Sequence, residues 1–182
     1  MARRDLMRPE KVALYGVMIA LVAAMTAIYV PIPATRGYFN LGEIVIFFAA
    51  FMFGSRTAVI AGVIGASIID AIFAPHFIPA TIVAKGLEAF MAGSIALAFI
   101  RASNQPIIRT WAFGVGGSLM IMTYFFYEWF ILPLGLSDSG GLGAAVTEFP
   151  FNVAQVLIGG TVAIILAEAI QRAYPRIENL RD

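Results

Sequence analysis

The 182-residue sequence has no cysteine, a single histidine (His76), and few charges: 12 basic and 11 acidic residues, 13% of the chain. Without cysteine there is no disulfide, no thiolate nucleophile and no cysteine-ligated metal, although this absence leaves the compartment open. One histidine, with no H-E-x-x-H or G-x-S-x-G pattern, supplies neither a metal site nor a nucleophile with its base. The chain therefore reads as a non-enzyme with no metal and no other cofactor. A G-x-x-x-x-G-K-[ST] phosphate loop is also missing, so the chain does not hydrolyse ATP by itself. Its net charge of +1 gives no electrostatic reason to invoke nucleic acid.

What fills the sequence instead is apolar: 60% of the residues are hydrophobic and the mean hydropathy is +0.88. This is the composition of an integral membrane protein. A bilayer core about 30 Å thick takes roughly 17–25 helical residues to cross, and apolar spans lie near residues 11–31, 40–54, 57–74, 79–100, 107–132 and 149–172. The expected fold is all-α, a six-transmembrane-helix bundle forming a single membrane domain over residues 1–182 with both termini cytoplasmic. The opening MARRDLMRPEK has the charge order of a signal peptide. The apolar run behind it continues to about Val30 without a convincing cleavage site, so it reads as a retained first helix. Gly54-Ser55-Arg56-Thr57 separates the second and third spans as a tight helical hairpin.

Basic residues accumulate in cytoplasmic loops, and their distribution gives a direction. With six spans and the N-terminus inside, Arg3, Arg4, Arg8, Lys11, Arg56, Arg101, Arg109, Arg172, Arg176 and Arg181 fall on the inner side. Only Arg36 falls outside. Lys85 is the one basic residue placed within a span. Direction then assigns depth: at about 1.5 Å per residue, Lys85 and Glu88 lie roughly 9 and 14 Å below the outer surface, and Asp70 about 20 Å above the inner one. Glu43 starts the second span, Glu128 ends the fifth, and Asn152 and Gln155 stand in the first turns of the sixth. All seven polar groups favour the outer half.

An ionisable group in a membrane span is costly unless it is paired or faces water, and it marks a candidate functional site. Several such groups at one depth suggest the wall of one outward-facing cavity. Lys85 and Glu88, three apart on a helix, fit either a mutual ion pair or a shared ligand-binding face. Asp70 and Glu43 fit either loop bracing or the same cavity. The outer loops add Arg36, Tyr38, Asn40 and His76, and the run TYFFYEWF adds Tyr127 beside Glu128. These aromatics suit an interfacial belt as well as a pocket for a flat, polar small molecule, and His76 lacks neighbours at metal-ligand spacing. In the first span, Ala20 and Ala24, or Ala23 and Ala27, form a small-residue face that permits close helix approach, within this bundle or with a partner.

The stretch PIPATRGYFNLGE, then an apolar span ending in FG, then Asp70, then P-A-T-x-x-x-K-G-L-E, residues 31–93 in all, resembles the substrate-binding S-components of energy-coupling factor (ECF) vitamin transporters. The likeness is to the branch assigned to riboflavin or hydroxymethylpyrimidine. The resemblance implies a prokaryotic cell-membrane protein that captures a vitamin or precursor from outside and hands it inward by toppling in the lipid bilayer. It implies as partners a transmembrane coupling T-component and two cytosolic ATPases. It assigns docking on the coupling subunit to the alanine face of the first helix. A small ion-coupled secondary transporter of a polar solute would also bury Lys85, Glu88 and Asp70. Such folds, however, show inverted repeats and polar groups near the midplane.

Overall fold

Proline and glycine cut the apolar sequence into its elements. The computed structural model describes residues 9–100, 103–174 and 180–181. Arg3, Arg4, Arg8, Arg101 and Arg176, which carry half of the inner-side charge, lie outside them. In chain order the elements are α1 (Pro9–Thr26), β1 (Tyr29–Ile32), β2 (Gly37–Asn40), α2 (Gly42–Phe53), α3 (Ser55–Phe73), α4 (Ile78–Ala98), α5 (Gln105–Phe126) and α6 (Leu142–Ala173).

Five of these helices, with their flanking turns, are long and apolar enough to cross a membrane, whereas α2 has 12 residues and a length of about 18 Å. Its position explains how so short a helix is tolerated. It packs against α1, α3, α4 and α6, and Ile46, Phe47, Ala49 and Met52 are fully enclosed. A segment surrounded by protein need not match the lipid thickness. Large apolar side chains such as Ile72, Phe90, Trp111 and Ile165 are exposed on the outer helices, while Glu43, Glu88 and Glu128 are buried. This inverted arrangement suits an apolar surround.

Two departures from the sequence reading matter for the site. The first span was expected to continue to residue 31. Instead α1 stops at Thr26 and an antiparallel hairpin follows, with Tyr29 opposite Asn40 and Ile32 opposite Gly37. Pro31 and Pro33 are the cause, since each lacks an N–H and pushes the residue before it into extended backbone. Tyr29, Val30, Ile32, Tyr38 and Phe39 are residues that favour strands. The sixth helix also begins at Leu142, ahead of the expected residue 149, and runs on through Pro150 for 32 residues. Asn152 therefore stands nearly three turns into it, and Gln155 about three and a half.

The joints are short. Gly54 alone separates α2 from α3, with φ 98°, a left-handed value that strains any side chain. A 3-10 turn, Pro75–Phe77, leads into α4. Beyond α5 the chain widens into a π turn, Tyr127–Ile131, and then tightens into a 3-10 turn, Leu132–Leu134.

Candidate functional site

The β-hairpin lies over one end of the bundle, and the buried polar residues converge beneath it. Tyr38, Asn40, Glu43, Asp70, Lys85, Glu128, Asn152 and Gln155, all singled out from the sequence, line one cavity. Helix contact at small residues brings their backbones together. Gly159 of α6 lies directly against Glu43 of α2, and a methyl group there would overlap the Glu43 Cβ. The α6–α2 spacing at the cavity floor thus depends on that glycine. Gly159→Leu is expected to destabilise the bundle by about 1–3 kcal/mol through overpacking. A thermal unfolding midpoint unchanged from wild type would show that α6 moves aside freely.

At the floor the Lys85 ammonium binds the Glu43 carboxylate and lies 3.4 Å from Glu88 Oε2. Its nitrogen is also 5.5 Å from the centre of the Tyr124 ring, within cation–π range. The Tyr124 hydroxyl is 2.8 Å from that of Thr81. One cation therefore serves two carboxylates from different helices, and Glu88 supports Lys85 from behind without lining the cavity itself.

The hairpin is tied down at three points. The Tyr38 hydroxyl donates to Asp70 Oδ1. Burial, reinforced by the Asp70 charge, raises this phenol far above its ordinary pKa, so it stays protonated. Thr35 Oγ1 donates to Glu148 Oε1. The Asn40 backbone N–H donates to Gln155 Oε1 at 2.6 Å, and Gln155 Nε2 in turn donates to Asn152 Oδ1 at 3.2 Å. Asn40 Oδ1 accepts from the Gly42 N–H at 2.8 Å, which fixes the turn from β2 into α2. Each tie joins the hairpin to a polar side chain of α3 or α6.

Three other candidates stand elsewhere. Arg36 is exposed on the hairpin loop in the left-handed region, with φ 59°. The Tyr127 hydroxyl donates to the backbone oxygen of His76 at 2.5 Å, so these two residues fasten the end of α5 to the turn before α4. Sequence reasoning missed Glu148, Thr35, Thr81 and Thr26, and it counted Tyr124 only as one of an aromatic run. All but Thr35 line the cavity. Glu148 was one residue outside the expected span 149–172, whereas the helix begins at Leu142.

The cavity leaves about 40 Å³ for water-sized occupants, on the order of three waters. Sites for small organic molecules have roughly 300 Å³ or more. The hairpin wall of the cavity is held to the helices by side-chain hydrogen bonds.

The four alanines expected on the docking face divide. Ala20 and Ala24 are exposed on one face, Ala23 is half-buried, and Ala27 lies past the end of the helix. Gly16, four residues before Ala20, also faces open space. An uncovered stripe of small residues thus follows the i, i+4 spacing from 16 to 24.

Comparison with known proteins agrees with this architecture. A chain from Pyrococcus woesei, the uncharacterized protein in gap 3'region, is 29% identical over 155 residues, covering 83% of this chain and 97% of that one. The sequence profile of the ECF-type riboflavin transporter S component matches residues 7–172. The match identifies a multi-pass membrane component that binds substrate for transport and is not an enzyme. This chain belongs to the family of ECF-type riboflavin transporter S components.

Proposed function

We propose that the protein captures a water-soluble vitamin or vitamin precursor, riboflavin, hydroxymethylpyrimidine or a related heterocycle, in the cavity beneath the β-hairpin. A transmembrane T-component and two cytosolic ATPases then drive its uptake. The observation that carries this reading is the gathering of Lys85, Asp70, Asn152, Gln155 and three glutamates at one end of an otherwise apolar bundle, under a hairpin held by side-chain hydrogen bonds. The chain forms one membrane domain of six crossings, counting the enclosed α2, in the cell membrane of a prokaryote. Both termini are cytoplasmic, so the hairpin faces outward. The basic-residue asymmetry supports that direction: Arg56 and Arg109 stand in the first turns of α3 and α5 and Arg172 in the last turn of α6, the ends that alternating helix directions place opposite the hairpin.

Tyr38, Asn40, Glu43, Asp70, Lys85, Glu128, Asn152 and Gln155 contact the ligand, with Glu88 supporting Lys85. Arg36, His76 and Tyr127 act at the rim. Calorimetric titration of the purified protein with riboflavin, pyridoxine, hydroxymethylpyrimidine, thiamine and pantothenate is expected to give one saturating site without nucleotide. Binding that requires ATP would overturn the reading.

Gly16, Ala20 and Ala24 form the face that meets the coupling subunit. Ala20→Trp with Ala24→Trp is expected to leave ligand titration unchanged and to abolish uptake in the assembled transporter, because bulky side chains prevent close helix approach. If ligand binding is lost as well, that face packs within this bundle.

A further inference from the structure

We propose that Glu128 and Glu148 form a subsite for a positively charged, N–H-rich nitrogen group of the ligand, such as a protonated ring nitrogen beside an amino group. The inference rests on the cavity being the ligand site, as proposed above, and adds the charge of the molecule that fits it.

Both glutamates line the cavity, at 1% and 3% exposure, and they come from the π turn after α5 and from α6. They differ from Glu43 and Glu88, which share the Lys85 ammonium. Among the described residues neither Glu128 nor Glu148 has an ion-pair partner. Glu148 accepts a hydrogen bond from the neutral Thr35 hydroxyl. Glu128 Oε2 is buried with no hydrogen-bond partner.

Two buried carboxylates that line one cavity without an ion-pair partner are unfavourable as a charged pair until a proton or a positive group joins them, and a cationic ligand supplies both the charge and the N–H donors. A metal ion is not the fitting one, since hard cations take six or more oxygen ligands. Among the described residues no group of three acidic or histidine side chains is placed to hold a metal ion. A planar organic cation needs only what is present, acceptor oxygens approached from one side. The π turn has a role here. Such turns recur at functional sites, and this one turns Glu128 inward while Phe130 and Ile131 remain exposed. The cavity therefore offers donors at Lys85 and, at Glu128 and Glu148, acceptors that no cation of the described residues shares, which favours a basic heterocycle over an uncharged one such as riboflavin.

The test compares two ring-matched probes, diaminopyrimidine and its uncharged dioxo counterpart uracil, by calorimetric titration of the purified full-length protein and of the variants Glu128→Gln and Glu148→Gln. Diaminopyrimidine is expected to bind about 10- to 150-fold more tightly than uracil, the range for a hydrogen bond to a charged group. Either variant is expected to remove most of that preference. Equal or tighter binding of uracil would overturn the inference while leaving the pocket intact. So would a preference that survives in both folded variants. If neither probe binds and the vitamin panel also gives no heat, the reading of the cavity as a ligand site falls too. Should a variant fail to fold, the ratio in the unaltered protein still decides.

Discussion

Lys85→Met is expected to lower stability by about 3–5 kcal/mol, the cost of leaving buried charge without its partner. For a chain of this size that corresponds to a fall of roughly 10 °C in the thermal midpoint. The reason is local: removing one ammonium strands both Glu43 and Glu88, each at most 1% exposed. Glu43→Gln and Glu88→Gln added to Lys85→Met should recover most of the loss, because neutral amides need no counter-charge. If the triple variant is no more stable than Lys85→Met alone, the ion cluster is not what holds α2 to α4. Ligand binding separates the two roles open to Lys85. An ammonium has three N–H donors, and two of them point to Glu43 and Glu88. The third is free to meet a ligand acceptor on the cavity side. Affinity in the stable triple variant should therefore remain about 30-fold or more below that of Glu43→Gln with Glu88→Gln, which keeps the ammonium. Restored affinity together with restored stability would make Lys85 an internal brace and nothing else.

The sequence carried the membrane class, the positions of the helices and most of the polar residues that meet under the hairpin, for one physical reason. In an apolar chain each ionisable residue is conspicuous, so Asp70, Lys85, Glu88 and Glu128 could be picked out without an alignment. Their partners were not legible. Lys85 and Glu88 at i, i+3 suggested a pair within one helix, but the closer partner is Glu43, 42 residues away in sequence. Only packing brings it there. The hairpin was hidden because Tyr29, Val30 and Ile32 prolong the hydropathy of α1 without a break. The two prolines that turn the chain were read as the start of a loop. Glu148 was lost because the expected apolar span began one residue later, at 149, while the helix starts at Leu142 and runs on through Pro150. Hydropathy finds where a chain is apolar, and it does not say where backbone hydrogen bonds continue.

Thr35→Val combined with Tyr38→Phe is expected to speed ligand association by about 100-fold. The hairpin is held to the helices by Thr35 on Glu148, Tyr38 on Asp70 and the Asn40 N–H on Gln155. Because the cavity as it stands has room for only about 40 Å³ of contents, these ties are expected to break before a vitamin-sized molecule enters. A hydrogen bond to a charged group contributes about 1.5–3 kcal/mol, so removing two at the low end lowers the opening barrier by about tenfold each. Both substitutions keep side-chain shape, and the third tie to Gln155 keeps the hairpin near its place. Stopped-flow quenching of the tryptophan emission from Trp129, close in sequence to Glu128, reports entry directly. Dissociation should accelerate as well where the bound state re-forms either tie, while a protein in which the hairpin is only a connector would show neither change. An association rate within twofold of wild type, in a double variant whose thermal midpoint shows it folded, would mean that the ligand enters by another route and that the hairpin is not the gate.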